Sequence, residues 1–511
     1  MRSFFKYLAL AALPAATLAL PYPFNVATRT PAQHNLTSTS IITQLGPMLS
    51  SDAAIYAHSD ERWENATSRW QSYSSPDFTV VVEAGTEGDV AVIVKYANSY
   101  GIPFLAVNTG HGAPKTLGTL RNGIEISLRQ LDEITIAQDG ESAFFGGGVY
   151  SDQVIHTLWD AGYVAGTGSC ACVGIMGPTL GGGHGRYQGF YGLIIDMLIS
   201  MNVVLADGST VTVSNSSHPD LWWAMRGAGH NFGIVTSFEA DIHPRTVDEW
   251  YIHRFVFTQD KLESVFETVN AQQMAEDAPV ELMNYGVFTW NAEFSTTEPI
   301  LEFFIHYVGT AENAAPFLQP YDALDPVVST GQYHPYPDVP DATGTGVHSP
   351  MCQHGKTNMQ FPFGLLEHNI TATRQIYDYF ANVTAAQPVY NQSIVVFEAY
   401  SLQGVQAVDP ASSAFPHRED RFLCDVLITY EPDSSLDNRA IAIGKQISRL
   451  WAEGQPGQEE HIYVNYAFGD EPLEQVYGSE PWRLDRLRAA KAKYDPNNIF
   501  RYYNPLVRGS K

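Results

Sequence analysis

Two glycine-rich stretches hold the residue types from which a ligand site could be built. Gly110-His111-Gly112 follows an apolar run, and Gly177 and Gly181-Gly182-Gly183-His184-Gly185 form a second cluster. Glycines let the backbone approach a ligand closely and turn N–H groups toward a pyrophosphate. A histidine where a strand ends can reach a bound ring. By residue type alone each stretch also has a plain reading, a structural histidine and a tightly packed loop. Between them, Cys170 and Cys172 form a Cys-X-Cys pair with no second cluster at metal-ligand spacing, which argues against zinc. The chain has no Gly-X-Gly-X-X-Gly fingerprint, Walker lysine, Gly-X-Ser-X-Gly elbow or His-Glu-X-X-His helix. The commonest hydrolase and metalloprotease chemistries are therefore set aside.

The elements that must position these residues can be traced from pattern. Phe78 to Val82 is a β-branched run, and Thr86 with Asp89 three residues on forms a capping-box start. Val90, Ile93, Val94 and Ala97 then share one helical face, Gly101 ends the helix, and Pro103 to Val107 is a strand running into Gly110-His111-Gly112. Ser151 is expected to cap a helix carrying Val154, Ile155 and Leu158. From Ile195 to Val213 the chain is strand-like, with a hairpin at Ala206-Asp207-Gly208-Ser209. Residues 245 to about 455 alternate apolar and polar positions, as in Trp250 to Phe257 and Ile394 to Tyr400, between helix-like stretches such as Asp260 to Met274. That pattern predicts an antiparallel sheet with helices on one face. The Pro- and Gly-rich residues 335 to 350 are expected to be surface loops. The fold class is thus α+β in two lobes, residues 20–245 and 246–455, with 456–511 returning to the first lobe.

Acidic residues outnumber basic ones 55 to 29, giving a net charge of −26. Such a surface repels phosphate backbones and anionic lipids, so nucleic-acid and membrane-surface roles are not expected. Arg2 and Lys6 precede the apolar run Tyr7 to Leu20, which ends in small residues near Ala19. This is the pattern of a signal peptide over residues 1–19 and predicts secretion. Six Asn-X-Ser/Thr sequons, at Asn35, Asn65, Asn215, Asn369, Asn382 and Asn391, fit a glycosylating route. The four cysteines, Cys170, Cys172, Cys352 and Cys424, do not make a disulfide scaffold.

Four stretches together resemble the berberine-bridge-enzyme-like flavoproteins of the vanillyl-alcohol-oxidase superfamily, which carry a PCMH-type FAD-binding domain. They are Val107 to Gly112, Cys170 to Gly185, Asp220 to Val235, and Tyr463 to Pro505, the last containing Tyr494-Asp495-Pro496-Asn497-Asn498-Ile499-Phe500. The resemblance runs from about residue 75 to the C-terminus. It implies FAD joined covalently to His111, with Cys170, three residues before Val173-Gly174, as a second attachment. Cys172 is a competitor for that role or a buried small apolar residue. The resemblance further implies that Gly110, Gly112, Gly174, Gly181, Gly182, Gly183 and Gly185 bring backbone to the cofactor and that Val173 leaves room for oxygen. It places Ile234 and Val235 at the flavin's pyrimidine edge, and Tyr463 and Asn465 in the flavin pocket.

The chain also departs from the family pattern. Gly177 is followed by Pro178 where many relatives have a flavin-contacting histidine, and His184 need not replace it. The position of the plant enzyme's glutamate base falls on Ala407. Glu398, Tyr400 and Tyr466 are the candidates to take a substrate proton; Glu398 could equally be a solvent-facing or structural strand residue. The expected function is a secreted, monomeric FAD-dependent oxidase. It would convert an alcohol of a small natural product to an aldehyde or ketone and reduce O2 to H2O2, with cyclisation of the product in the same pocket as an extension. The alternatives are an oligosaccharide oxidase and a flavin-retaining cyclase or binding protein without redox turnover.

Overall fold

The computed structural model describes residues 36–508. The signal-peptide stretch and Asn35 lie outside the described residues. The first sheet orders β1 (Ala54–Tyr56), β2 (Phe78–Glu83), β3 (Phe104–Val107) and β4 (Gly123–Ser127) as β1-β2-β4-β3, with β4 parallel to both β2 and β3. The crossover between β2 and β3 is helix α1 (Glu87–Tyr100). Its capping box forms as the sequence predicts, with Thr86 and Asp89 satisfying each other's backbone N–H. Gly101 closes it in the left-handed conformation at φ 65°. Val90, Ile93, Val94 and Ala97 are fully buried against Val80, Val82, Ile124 and Ile126. The apolar stripe of α1 thereby fixes where β3 ends and where His111 emerges.

A second sheet of β5 (Ile134–Ile136), β6 (Ser142–Gly146), β7 (Leu198–Leu205), β8 (Thr210–Ser214) and β9 (Gly233–Asp241) runs in the order β5-β6-β9-β7-β8. β7 and β8 pair across the predicted hairpin. The predicted helix forms as Ser151–Asp160, but the N-cap position falls to Tyr150. Ser151 instead donates its hydroxyl to Val173 O at 3.0 Å, tying the helix start to the Cys170–Gly174 loop.

The third sheet is wholly antiparallel and seven-stranded. β10 (Trp250–Phe257), β11 (Leu282–Thr289), β12 (Ile300–Tyr307), β13 (Val328–His334), β14 (Thr357–Leu365), β15 (Ile394–Ala399) and β16 (Phe422–Tyr430) adopt the order β13-β10-β12-β11-β15-β16-β14. Helices Leu262–Gln273, Ala311–Asp322, Ile370–Ala386 and Ser434–Glu453 cover one face, burying Phe266, Tyr321, Phe380 and Ile447. Successive strand residues point to opposite faces. Val395, Phe397 and Ala399 of β15 enter that core, while Val396 and Glu398 point the other way, toward the first lobe. Residues 335–350 depart from expectation. Tyr336 is 2% exposed and Val339 fully buried, packed with Trp250 and Tyr187. Their proline-rich composition serves short helical turns, Tyr336–Asp338 and Val339–Ala342, and not a solvated loop.

The closing segment, residues 461–508, carries helix Pro481–Tyr494, which packs on Pro219–Ala228 of the first lobe. In the Tyr494–Phe500 signature, Asp495 accepts Ile499 N–H and Phe500 N–H, each at 2.8 Å. Asp495 also pairs with Lys491 at 2.7 Å, both side chains buried. The signature is therefore a buried staple that fixes Tyr502, Tyr503 and Asn504 beneath the site.

Candidate active site

A cavity of about 280 Å³ opens between the first lobe, the free face of the seven-stranded sheet and the closing segment. A wider, more open depression of about 580 Å³ lies along His58, Asp60 and Glu64, and none of the sequence-predicted residues lines it. His111, Gly110, Gly112, Cys170, Val173, Gly174, Glu398, Tyr400, Tyr463, Asn465 and Tyr466 all line the smaller cavity.

His111 leaves the end of β3 through Gly110, whose φ of 80° is left-handed and suits glycine. Its Nδ1 lies 3.2 Å from Thr109 Oγ1, and its Nε2 lies 3.4 Å from Cys172 Sγ. Thr109 Oγ1 also accepts Gly174 N–H at 3.1 Å, so its own proton is free for Nδ1. The tautomer that satisfies these contacts is protonated on Nε2 and keeps the Nδ1 lone pair. Burial, with His354 and Arg69 adding like charge, pushes the imidazole down to about 3. His111 is neutral at physiological pH and available as a nucleophile.

The cysteines separate into three states. Cys172 bonds to Cys352, 180 residues away, so the reading of Cys172 as a free apolar residue or flavin ligand is corrected. The partner lies in the other lobe and could not be inferred from local spacing. Cys170 is free and faces the cavity, and burial followed by the nearby Glu398 pushes its thiol up to about 11. Cys424 is sealed in the core of the large sheet.

On the sheet side Glu398 is 6% exposed, which removes the solvent-facing alternative. Tyr400 donates to its Oε1 at 3.0 Å and Tyr466 to its Oε2 at 3.1 Å. Ser169 Oγ sits 2.6 Å from Tyr400 Oη and extends the chain. Burial raises the Glu398 carboxyl above its ordinary value, opposed by the two tyrosine hydrogen bonds and by Arg186. The three candidate proton-handling residues thus form one connected unit. Ala407, by contrast, is exposed and lines no part of the cavity.

Other predicted residues support the site from behind. Gly181, Gly182, Gly183 and Gly185 do not line the cavity. A Cβ at Gly181 would lie 2.3 Å from Asn465 Oδ1, and at Gly185 it would lie within 1.9 Å of Thr167 O. These glycines let the loop nest under Asn465 and Tyr463, behind the cavity wall. Tyr463 Oη accepts Gly183 N–H at 3.2 Å, His184 N–H at 3.3 Å and Asn465 Nδ2–H at 2.7 Å. Ile234 and Val235 are buried in the cores on β9 and do not line the cavity. Their side chains pack and their backbone pairs with β7.

Several lining residues escape sequence reasoning, among them Arg69, Trp70, His230, Tyr285, Gln360, Asp425 and Tyr503. Asp425 is 3% exposed and accepts Phe361 N–H at 2.8 Å and Gln360 Nε2–H at 3.1 Å. Burial pushes its carboxyl up to about 8. An Arg-Trp pair ahead of the first long strand and an acid inside an otherwise apolar strand were the only local signals. A separate trio, His417, Asp420 and His461, brings potential metal ligands within 4.8 Å. Their polar atoms are already engaged, His461 Nδ1 with Asp420 at 2.6 Å and His417 Nε2 with Gln475 O at 2.8 Å.

The cavity's unsatisfied atoms test whether FAD fits. Arg69 Nε and Nη1, Asn108 Oδ1, His230 Nδ1 and Asn465 Oδ1 are buried without partners, and all four residues line the cavity. A buried guanidinium calls for a phosphate-like anion. The remaining donors and acceptors, together with Trp70, Tyr463 and Tyr503, suit a flat heteroaromatic ring with polar edges. The residues present fit the cofactor.

Comparison with known proteins agrees. Residues 78–214 match the family model described as an FAD binding domain, and 462–506 the one described as berberine and berberine like. The chain is 48% identical over 501 residues to the FAD-linked oxidoreductase anuG of Penicillium roqueforti, covering 98% of each. It is 41% identical over 479 residues to the FAD-linked oxidoreductase iacH of Pestalotiopsis fici, covering 93% and 92%. In fold it is similar to the xylooligosaccharide oxidase of Myceliophthora thermophila, with a TM-score of 0.78 at 21% identity over 93% of this chain and 100% of that one. It is also similar to the glucooligosaccharide oxidase of Acremonium strictum, which carries a 6-S-cysteinyl, 8α-N1-histidyl FAD, with a TM-score of 0.77 at 19% identity over 91% and 99%. The chain belongs to the berberine-bridge-enzyme-like FAD-linked oxidoreductases. It is an FAD-dependent oxidoreductase with the mixed helix-and-sheet fold of that group.

Proposed function

We propose that the protein is a secreted oxidase that holds FAD covalently through His111 and Cys170 and oxidises an alcohol of a small natural product. The observation that carries this reading is the buried carboxylate of Glu398, gripped by Tyr400 and Tyr466 on the cavity wall opposite His111. When bound, FAD supplies the hydride acceptor and its reoxidation by O2 to H2O2. Within the chain, Tyr466 takes the substrate hydroxyl proton as it passes its own to Glu398 Oε2. Tyr400, anchored by Ser169, holds the second carboxylate oxygen and fixes the group's orientation. Val173, small and on the cavity wall, leaves a path for oxygen. His111, held neutral, and the free thiol of Cys170 would be the two side chains that hold the flavin. The Cys172–Cys352 bond supports passage through an oxidising compartment. Among the sequons, Asn65, Asn215, Asn369 and Asn382 are exposed, whereas Asn391 is half-buried.

The test compares absorbance and intact mass before and after acid precipitation for wild type, His111→Ala and Cys170→Ala. Flavin that stays with the denatured wild type and is lost from His111→Ala supports the reading; flavin that washes out of wild type refutes it. A second reading, oligosaccharide oxidation, draws on the polar pair Gln360 and Asp425 in the cavity, which would hydrogen-bond sugar hydroxyls. Bleaching of the flavin by oligosaccharides and not by hydrophobic alcohols would establish it.

A further inference from the structure

Five cationic side chains are deeply buried among the described residues: Arg69, Arg186, Arg418, Arg483 and Lys491. Three of them hold a carboxylate, Arg418 with Asp196 at 2.7 Å, Arg483 with Glu480 at 3.0 Å, and Lys491 with Asp495 at 2.7 Å. Arg69 lines the main cavity and feels the buried carboxyl of Glu125. Arg186 has no such partner. Its Nη1 donates to Ser169 O at 3.0 Å and its Nη2 to Thr343 and Thr345 hydroxyls at 3.2 Å, all neutral, while Nε has no partner. Glu398 feels its field but forms no ion pair with it. A buried guanidinium without a counter-charge is among the costliest groups a fold can contain.

Arg186 borders a narrow chamber of about 20 Å³ that shares the walls Ser169, Tyr285 and Tyr400 with the main cavity. One more orphaned polar atom belongs to its lining, His306 Nε2, on a residue 5% exposed. The register pairs His306 of β12 with Met283 of β11, which puts its side chain on the face turned away from the covering helices. Burial keeps His306 neutral, free to donate from Nε2. One water needs about 10–15 Å³ by this measure, so the chamber takes a single particle slightly larger than water. A water would fill the space and leave the charge unanswered.

We infer that this chamber is a binding site for one monatomic anion of chloride size, held by the Nε–H of Arg186 and His306 Nε2–H. The site does not depend on the redox reading, because its donors on Arg186 and His306 line the chamber and not the main cavity. It also gives a role to the Gly-Arg ending of Gly181-Gly182-Gly183-His184-Gly185-Arg186, which cofactor binding leaves unused.

The test uses the holoprotein in chloride-free buffer. Crystals soaked in sodium bromide should show an anomalous peak inside the chamber, absent from Arg186→Met. In solution, chloride or bromide should raise Tm with a saturable dependence, sodium gluconate at matched ionic strength should not, and the response should vanish in Arg186→Met. Should Arg186→Met fail to fold, His306→Phe and His306→Leu carry the same comparison. A chamber holding only water at high bromide, or a halide response unchanged in these variants, would overturn the proposal.

Discussion

Glu398→Gln is the substitution that tests the catalytic reading most directly. The carboxylate accepts two phenolic hydrogen bonds, at 3.0 and 3.1 Å, and is 6% exposed. Glutamine keeps the volume and one acceptor oxygen, so Tyr400 can remain in place, but it cannot take a proton. Loss of a positioned base lowers rates by about 10²–10⁴-fold. At about 1.36 kcal/mol per decade this corresponds to about 2.7–5.4 kcal/mol of barrier. The assay is anaerobic stopped-flow reduction of the bound flavin by whichever benzylic or allylic alcohol bleaches the wild type. The sign of the pH dependence follows from burial. Because the folded protein raises this carboxyl above its ordinary 4.5, the working carboxylate form appears only as pH climbs past the raised value. Wild-type reduction should therefore accelerate along a limb displaced upward from the ordinary glutamate range, and Glu398→Gln should lack that limb. A variant that reduces its flavin within threefold of wild type, or keeps the same limb, would show that Glu398 is not the proton acceptor.

Other expectations concern the scaffold and its charges. Replacing both Cys172 and Cys352 with serine opens a link across 180 residues, and chain entropy sets an upper bound of about 5 kcal/mol on the loss; Tm should fall, and an unchanged melt in reductant would refute it. Lys491→Met strands Asp495 in a dry site and should cost about 3–5 kcal/mol, read as a lower Tm and protease release of the C-terminal tail; a wild-type melting profile would contradict this. Gly181→Ala puts a Cβ 2.3 Å from Asn465 Oδ1 and should lower flavin absorbance per protein, with normal loading as the failing result. The fold favours the protonated form of Asp425, whose folded value is about 8, so its contribution to stability is lost as pH rises toward that value. Asp425→Asn should therefore gain Tm over wild type more at pH 9 than at pH 5, and equal differences at both would exclude it.

Much of this architecture was legible because it is local. The Thr86–Asp89 capping box, the Gly101 stop, the Asp207-Gly208 hairpin and the alternation through Ile394–Tyr400 are each written within a few residues and form as read. Alternation also places Glu398 on the free face once Val395 and Phe397 are taken as core. What could not be read were convergences. Arg69 belongs to a stretch before the first long strand, Asp425 to a strand whose every residue is buried, and Cys352 to the far lobe; no periodicity announces their meeting. Residues 335–350 misled for a different reason. Proline and glycine report backbone turns, not solvent, and the aromatic Tyr336 among them was the better guide to burial.

The disulfide at Cys172 also sorts sulfur chemistry during maturation. Cys170 and Cys172 are near neighbours in the chain, and Cys172 Sγ lies beside His111. Once Cys172 is committed to Cys352, its sulfur is no longer a thiol, and with Cys424 sealed in the core a single free thiol is left on the cavity wall. Oxidative folding thereby acts as a protecting-group step: closing one bond between the lobes decides which cysteine remains free to meet an incoming electrophile.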